Sequence, residues 1–345
     1  MRSGLRILIT NNTLSNRAGS ELYVRDIALA LVRRGHNPIA YSTTLGEVAE
    51  ELHKATVPVI DNLDALNVAP DLIHGQHHLD AMCAMLRFPG VPALYLCHGW
   101  LPWEELPPIF PSIVRYLAVD DLCRERLLTT PGIASDKVHT LYNFVDMKRF
   151  MPRDRLPERP RKALVFSNAA AESNFVGIIR AACQQTGIEQ VDVAGLGAGN
   201  SVSRPELVLP EYDLVFGKAR CALEAMSVGC AVIVADSAGL GGMVTPGNMQ
   251  ALRRLNFGVR TMQASPISID TVLGALERYD PSAAREVMEW IRTDADLDDA
   301  IEKLEAHYEA VLASENAVRS IEPLAYSTAA SDYLRGLKIK GIRLA

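Results

Sequence analysis

The segment Tyr212–Val244, YDLVFGKARCALEAMSVGCAVIVADSAGLGGMV, constrains this chain more than any other. It reads as strand, glycine turn, helix, glycine turn, strand, glycine-rich loop. Leu214, Val215 and Phe216 form a short apolar run, and Gly217 permits a sharp turn. From Ala219 to Ser227, the residues Ala222, Leu223, Ala225 and Met226 share one side at helical spacing. Gly229 is the residue type that ends a helix. Cys230–Ala235 is apolar throughout, as a parallel strand covered on both faces must be. Strand–helix–strand with short connections is a βαβ unit, which binds ligands at the carboxyl ends of its strands. Lys218 and Arg220 sit where the first strand meets its helix, and Glu224 lies one turn beyond Arg220. Such a set suits an anionic ligand that also carries hydroxyls.

The residues before this segment repeat the same grammar. Leu5–Thr10 is a buried strand, followed by a polar loop and an amphipathic helix from Leu22 to Arg34 that Gly35 closes. Gly19 and Ser20 therefore stand at a helix N-terminus just after a strand. Two readings fit: an anion site built from free backbone N–H groups, or a plain cap with Ser20 as N-cap and Glu21 in the first turn. Further strands are predicted at Asn37–Tyr41, Val57–Ile60, Asp71–His74, Pro92–Cys97, Ile113–Val119 and Val138–Tyr142, with helices between them. Alternation this regular means a parallel sheet with helices on both faces. His74, His77 and His98 fall near strand ends, where such a sheet keeps its site; a hydrogen-bonded structural role is the alternative for each. They come from different loops and no acidic partner stands at ligand spacing, so no metal is expected.

Asn143–Arg161 is charged, Pro-rich and aperiodic, and reads as a linker. Ala163–Phe166 opens a second sheet, followed by a helix at Phe175–Gln185 and a strand at Glu189–Ala194. The run Gly195-Leu-Gly197-Ala-Gly199 looks like a dinucleotide fingerprint, the one feature favouring a dehydrogenase. No helix pattern follows it, so that reading is weak. Val208 is expected at the core of a short strand, and Asn256–Val259 at the start of another. Helices are expected at Ile267–Arg278, Ala283–Arg292 and Leu297–Ala313, and a helix at Ala329–Leu334 could pack across onto the first domain.

A chain of 345 residues has room for two ordinary domains. A net charge of −6 argues against general nucleic-acid binding. The six cysteines are scattered without a C-x-x-C pair, which reads as buried free thiols in a reducing cytosol. With no secretory signal and no apolar run near the ~20 residues of a membrane span, a soluble cytoplasmic protein is expected.

Four patches together resemble the GT-B-fold glycosyltransferases, in particular the large family-4-like group that uses nucleotide-activated sugars. They are Ala18-Gly19-Ser20-Glu21 with Arg33-Arg34-Gly35-His36; Asp71-Leu-Ile-His74 with Cys97-His98-Gly99; Asn143-Phe-Val-Asp146 with Arg149-Phe150; and Leu223–Asp236. The resemblance implies an α/β chain of two Rossmann-like domains facing across a cleft. It places the first at residues 1–152 on the acceptor side, a donor domain at 153–315, and a tail at 316–345. It implies an enzyme that moves a sugar from a UDP- or GDP-sugar to a glycan, lipid-linked or small-molecule acceptor, with retention and without a metal or other cofactor. By resemblance, Glu224 would hold the donor ribose, Gly19 would approach the donor phosphates, and His98 would face the transferred sugar as the catalytic-side residue. Gly241 and Gly242 would edge the donor pocket, while Glu21, His77 and Trp100 would lie on the acceptor side.

The chain also departs from the pattern. The glutamate usual eight positions before the ribose-binding one is Phe216 here, which puts retention in doubt. The usual Arg and Lys after the first strand of the second domain are missing from Ser167–Asn174. A departing diphosphate still needs positive charge, so Lys218 and Arg220 are expected to replace that clamp. A degenerate binding or scaffold protein is one alternative. The other is a nucleotide-sugar epimerase, for which Glu21, Asp120 and Glu172 are the available carboxylates. The Trp100-Leu-Pro-Trp103 loop either touches a membrane peripherally or packs at the cleft.

Overall fold

The computed structural model describes residues 4–344 except Glu172, with side chains through Leu337. Contacts divide the chain into two units, Met1–Leu141 with Ile301–Ala345, and Tyr142–Ala300. The division falls before the stretch read as a linker, because Val145, Met147 and Phe150 are buried in the second unit's core.

The first unit runs β1 (Arg6–Thr10), α1 (Gly19–Arg33), β2 (Asn37–Tyr41), α2 (Glu47–Lys54), β3 (Val59–Ile60), β4 (Leu72–Gln76), α3 (His78–Arg87), β5 (Ala93–Cys97), β6 (Ile113–Ala118), α4 (Asp121–Thr129) and β7 (Val138–Thr140). The strands are parallel in the order β3-β2-β1-β4-β5-β6-β7. Ile7, Leu8 and Ile9 are fully buried, as a central strand between helical layers requires. On α1, Val24, Ile27, Ala28 and Leu31 are buried at helical spacing and pack the helix against the sheet.

The second unit continues with β8 (Lys162–Phe166), α5 (Val176–Gln185), β9 (Gln190–Ala194), α6 (Pro205–Val208), β10 (Leu214–Gly217), α7 (Ala219–Val228), β11 (Ala231–Asp236), β12 (Gly239–Met243), α8 (Met249–Arg254), α9 (Ile269–Leu276) and α10 (Pro281–Asp294). Its order is β12-β11-β10-β8-β9. Alternate β10 side chains enter opposite cores: Val215 packs with Met226 and Val232, Phe216 with Val165 and Ile233. The helix α11 (Leu297–Leu312) starts in the second unit and ends in the first, where α12 (Glu315–Arg319) and α13 (Pro323–Leu344) follow.

Several local expectations are corrected. The glycine-rich loop after β11 is a strand, β12, antiparallel to β11 and bulged between Val234 and Ala235. Its near lack of side chains had hidden the alternation that marks a strand. Val208 closes the helix α6, which Pro205 starts at a position favourable to proline. Asn256 and Phe257 take left-handed φ of 53° and 49° and turn the chain rather than starting a strand. Ala18, not Ser20, is the N-cap of α1. Cys83 is exposed and Cys221 partly so; the remaining cysteines are buried, and all are free.

Candidate functional site

In the second unit the strand order reverses between β8 and β10, the crevice where open α/β sheets take ligands. Ser167 follows β8 and Lys218 follows β10. Asp236, fully buried at the end of β11, joins them. Its Oδ1 accepts the Ser167 hydroxyl at 3.0 Å and the Ser237 N–H at 2.7 Å, and its Oδ2 pairs with the Lys218 ammonium. Lys218 is the N-cap of α7, and Ala219 beside it has φ 47°, a strained left-handed conformation for a residue with a Cβ. One turn along, Arg220 Nε donates to Glu224 Oε1 at 2.7 Å. This is an i, i+4 pair, yet both partners are largely buried, with side chains 14% and 4% exposed. Burial, then Glu224, pushes the Cys221 thiol up; Arg220, Asp236 and Lys218 also act on it. The site thus gathers two cations and two carboxylates at one helix N-terminus.

The glycine run after β9 braces this site. Gly195 has φ 145°, and a Cβ there would lie 2.1 Å from the Ser167 carbonyl oxygen. A Cβ on Gly197 would lie 2.6 Å from the Ala170 oxygen. The run makes a short 3-10 turn, with Leu196 N–H donating to Asn168 Oδ1 at 3.2 Å and Gly197 N–H to the Asn168 carbonyl at 3.0 Å. Gly195 and Gly197 serve close backbone approach between two loops. Gly241 is likewise committed to the sheet, since its Cβ would meet Val234 Cβ at 3.0 Å, whereas Gly242, at φ 81°, faces open space. Phe216 fills the core between β8 and β11, so this position does not reach the crevice.

The first unit has its own reversal point, between β1 and β4. Gln76 ends β4, His77 caps α3 at φ 54°, and His98 follows β5. Glu105, buried on the turn Trp103–Glu105, ties them together. Its Oε1 lies 3.3 Å from His77 Nε2, and its Oε2 accepts the His98 backbone N–H at 2.9 Å. His77 Nδ1 accepts the Asn12 N–H at 3.0 Å, so that nitrogen carries no proton and Nε2–H faces Glu105. Burial lowers the His77 pKa, but Glu105, with Asp80 and Glu21 beside it, outweighs that and the net direction is up. Protonation would nonetheless break the Asn12 contact, so the neutral ring fits this geometry. Burial works to raise the Glu105 pKa, but the hydrogen bond from His77 and the neighbouring histidines hold it below the usual range.

His98 Nε2 lies 2.5 Å from Gln76 Oε1, and its ring meets Tyr23 edge-on at 4.8 Å. Partly exposed but closely packed, it is pushed by burial down to about 4, with Glu105 opposing and His77 assisting. It is neutral at ordinary pH. Gly19 is the first residue of α1, whose N-terminus has no side-chain cap. Burial raises the Glu21 pKa, and the Ser20 hydroxyl, donating at 2.8 Å, works against that. His77 is also close enough to act on Glu21. Trp100 is half-buried in the loop after His98.

His74 stands outside this group. It is fully buried, its Nδ1 meets the Tyr308 hydroxyl at 2.7 Å, and burial pushes it down to about 3. Asp120 is the N-cap of α4 and accepts the Cys123 N–H at 2.7 Å, which accounts for it without catalysis. Glu172 lies outside the described residues. Gln76 and Glu105 were missed from the sequence. Gln76 sits one strand register beyond His74, a signal that existed; no spacing rule marks Glu105. Among the described residues no group of three or more His, Cys, Asp or Glu is placed to hold a metal ion.

Residues 17–149 match the family model described as Glycosyltransferase Family 4. Among curated proteins no sequence matches this chain. Several solved structures share its fold. A glycosyltransferase from Rickettsia africae superposes with a TM-score of 0.65 at 15% identity, covering 90% of this chain and 99% of that one. Anabaena Alr3699/HepE, in complex with UDP and glucose, gives 0.63 at 14%, covering 89% and 100%. Sucrose-phosphate synthase from Thermosynechococcus elongatus gives 0.61 at 13%, covering 91% and 100%.

Proposed function

We infer that this family-4-like glycosyltransferase of the GT-B fold transfers a sugar from a nucleoside-diphosphate sugar, and that the second unit's reversal point holds the donor. The carrying observation is the paired quartet at the start of α7, in which Asp236, Arg220 and Glu224 are largely buried and Lys218 is partly exposed. In the reaction an acceptor hydroxyl bonds to the sugar's anomeric carbon as the bond from that carbon to the phosphate oxygen breaks, and the hydroxyl proton passes to the departing phosphate oxygen. The electron pair leaves with the nucleoside diphosphate. Charge grows on the departing phosphate, where Lys218, Arg220 and the α7 N-terminus would stabilise it. Both cations already have carboxylate partners, so the diphosphate would share them with Asp236 and Glu224. Glu224, oriented by Arg220, would accept from two vicinal ribose hydroxyls.

This arrangement supplies positive charge without a metal, which supports metal-independent transfer. Gly242 would edge the donor site, and Gly241 would serve through the sheet. On the first unit, the uncapped start of α1 at Gly19 offers backbone N–H groups to an anion. His98 offers an uncharged hydrogen-bonding edge to a sugar, and Glu21, His77 and Trp100 surround an acceptor. UDP is the first donor nucleotide to try, because HepE was solved with it. Retention at the anomeric carbon follows the resemblance of the donor helix, and NMR of the product anomer tests it.

The test of the donor site is a thermal-shift titration with UDP-, GDP- and other nucleotide sugars on the native chain, Glu224→Gln and Arg220→Ala. A donor that binds the folded chain raises its melting temperature. Losing charge-assisted bonds to ribose lowers affinity by roughly ten- to a hundredfold. Unchanged affinity and turnover in both variants would exclude this donor site.

A further inference from the structure

The first unit carries an open groove of about 650 Å3 between Pro107–Ile109 and the first half of α13. Leu324, Ala325 and Ala329 line it from the helix. Two tyrosines fasten α13 in place. Tyr326 accepts the Gly90 N–H at 3.1 Å and its ring meets Phe110 at 6.2 Å. The Tyr333 hydroxyl lies 2.5 Å from His78 Nε2, and the same imidazole meets the Trp103 ring edge-on at 4.6 Å. The Trp loop, the start of α3 and α13 are therefore stitched together, yet their apolar residues stay outside. Leu324 is 75% exposed, Leu101 73%, Ile109 50% and Trp103 45%. Leu324 and Ile109 line the groove, and Trp103 adjoins it through His78 and Tyr333; large apolar residues exposed together in this way mark a contact surface.

The charge along the same helix identifies what makes that contact. After Asp332 the sequence continues Arg335, Lys338, Lys340 and Arg343 with no further carboxylate, in a chain of net charge −6. Glu322 and Asp332 at the groove oppose this, leaving four basic residues against two acidic ones over residues 322–345. A second copy meeting this face symmetrically would set like charges against each other. A surface that is apolar beneath and anionic on top satisfies both halves of α13. We propose that this face of the first unit docks on an anionic phospholipid bilayer. Leu324, Ile109 and Trp103 enter the interfacial zone, and the basic residues that follow Asp332 in the sequence add attraction to the headgroups. No described helix is long and apolar enough to cross a membrane, so the contact is peripheral.

Docking needs no nucleotide sugar, so its test stands apart from the donor reading. The full chain is co-sedimented with phosphatidylcholine vesicles with and without phosphatidylglycerol. Two variants accompany it: Ile109→Asp with Leu324→Asp, and charge reversal to Glu at Arg335, Lys338, Lys340 and Arg343. Both alter exposed or terminal positions, and circular dichroism checks their folding. The expected result is binding to the phosphatidylglycerol vesicles that weakens with salt. It should fall about tenfold or more in the double aspartate variant, and roughly fivefold for each basic residue reversed or more. No binding to anionic vesicles, equal binding to both vesicle types, or binding that both variants retain would overturn the proposal. So would a dimer of the native chain, seen in sedimentation velocity, that the double aspartate variant abolishes.

Discussion

At the scale of single residues, both reversal points are organised by a buried carboxylate that the sequence did not single out. Asp236 holds Ser167 and Lys218 in the second unit; Glu105 holds His77 and His98 in the first. Asp236 only closes the patch Leu223–Asp236 and Glu105 lies in no patch, because each reaches its partners through the fold rather than along the chain. Glu105 gives a direct prediction. In Glu105→Gln, His77 loses the carboxylate that draws its pKa upward, so NMR titration of its imidazole should show a lower value than in the native chain. Glu105→Ala should also cost about 1–3 kcal/mol in denaturant unfolding, since two buried donors lose their acceptor. An unchanged His77 titration would mean that the contact is not made in solution.

At the scale of elements, the glycines divide into those that serve the backbone and those left free. Gly195 belongs to the first group, by its φ of 145° and by the nearness of the Ser167 oxygen. Gly195→Ala should therefore displace the loop after β8, cost about 2 kcal/mol or more, and weaken nucleotide-sugar binding. Gly199, at φ 70°, has nothing within 4 Å of the place a methyl group would take, so Gly199→Ala should cost only the left-handed conformation, about 1 kcal/mol. Equal effects in urea unfolding would refute the close-approach account. The same loop explains how a run that looks like a dinucleotide fingerprint arises in another role: glycine is demanded wherever backbones touch, whatever the ligand.

At the scale of the whole molecule, buried histidines set the acid limb of stability. His74 ionises near 6.5 unfolded and near 3 in the fold, because burial disfavours its charged form. Between those values the unfolded chain binds a proton that the native one does not. Its contribution is therefore complete above pH 6.5 and is lost as the pH falls. Asp80 acts the other way: burial lifts it from 3.8 to about 6, so it adds stability as the pH drops through 6. Denaturant unfolding at about pH 7 and about pH 5 should show a smaller acid loss in His74→Gln than in the native chain, by about 2 kcal/mol at most. An identical pH dependence would show that His74 keeps its ordinary pKa.

The alternating parallel architecture, the order of nearly all elements and the strand ends where a site can form are legible in the amino-acid order alone. Those features depend on local periodicity, on glycine, and on continuous apolar runs such as Ile7–Ile9 and Cys230–Ala235, which are present in the chain before it folds. Which side chains meet is a property of the folded chain. Folding paired Lys218 with Asp236 from the neighbouring strand, put Phe216 in the core, and brought Glu105 from a loop to two histidines. It also turned a glycine-rich loop into β12, because a strand made mostly of glycine is recognised by its hydrogen-bonding partner and not by its pattern. Periodicity reports which way a residue faces; what it faces is settled by strand order and crossover, over separations that no local pattern records.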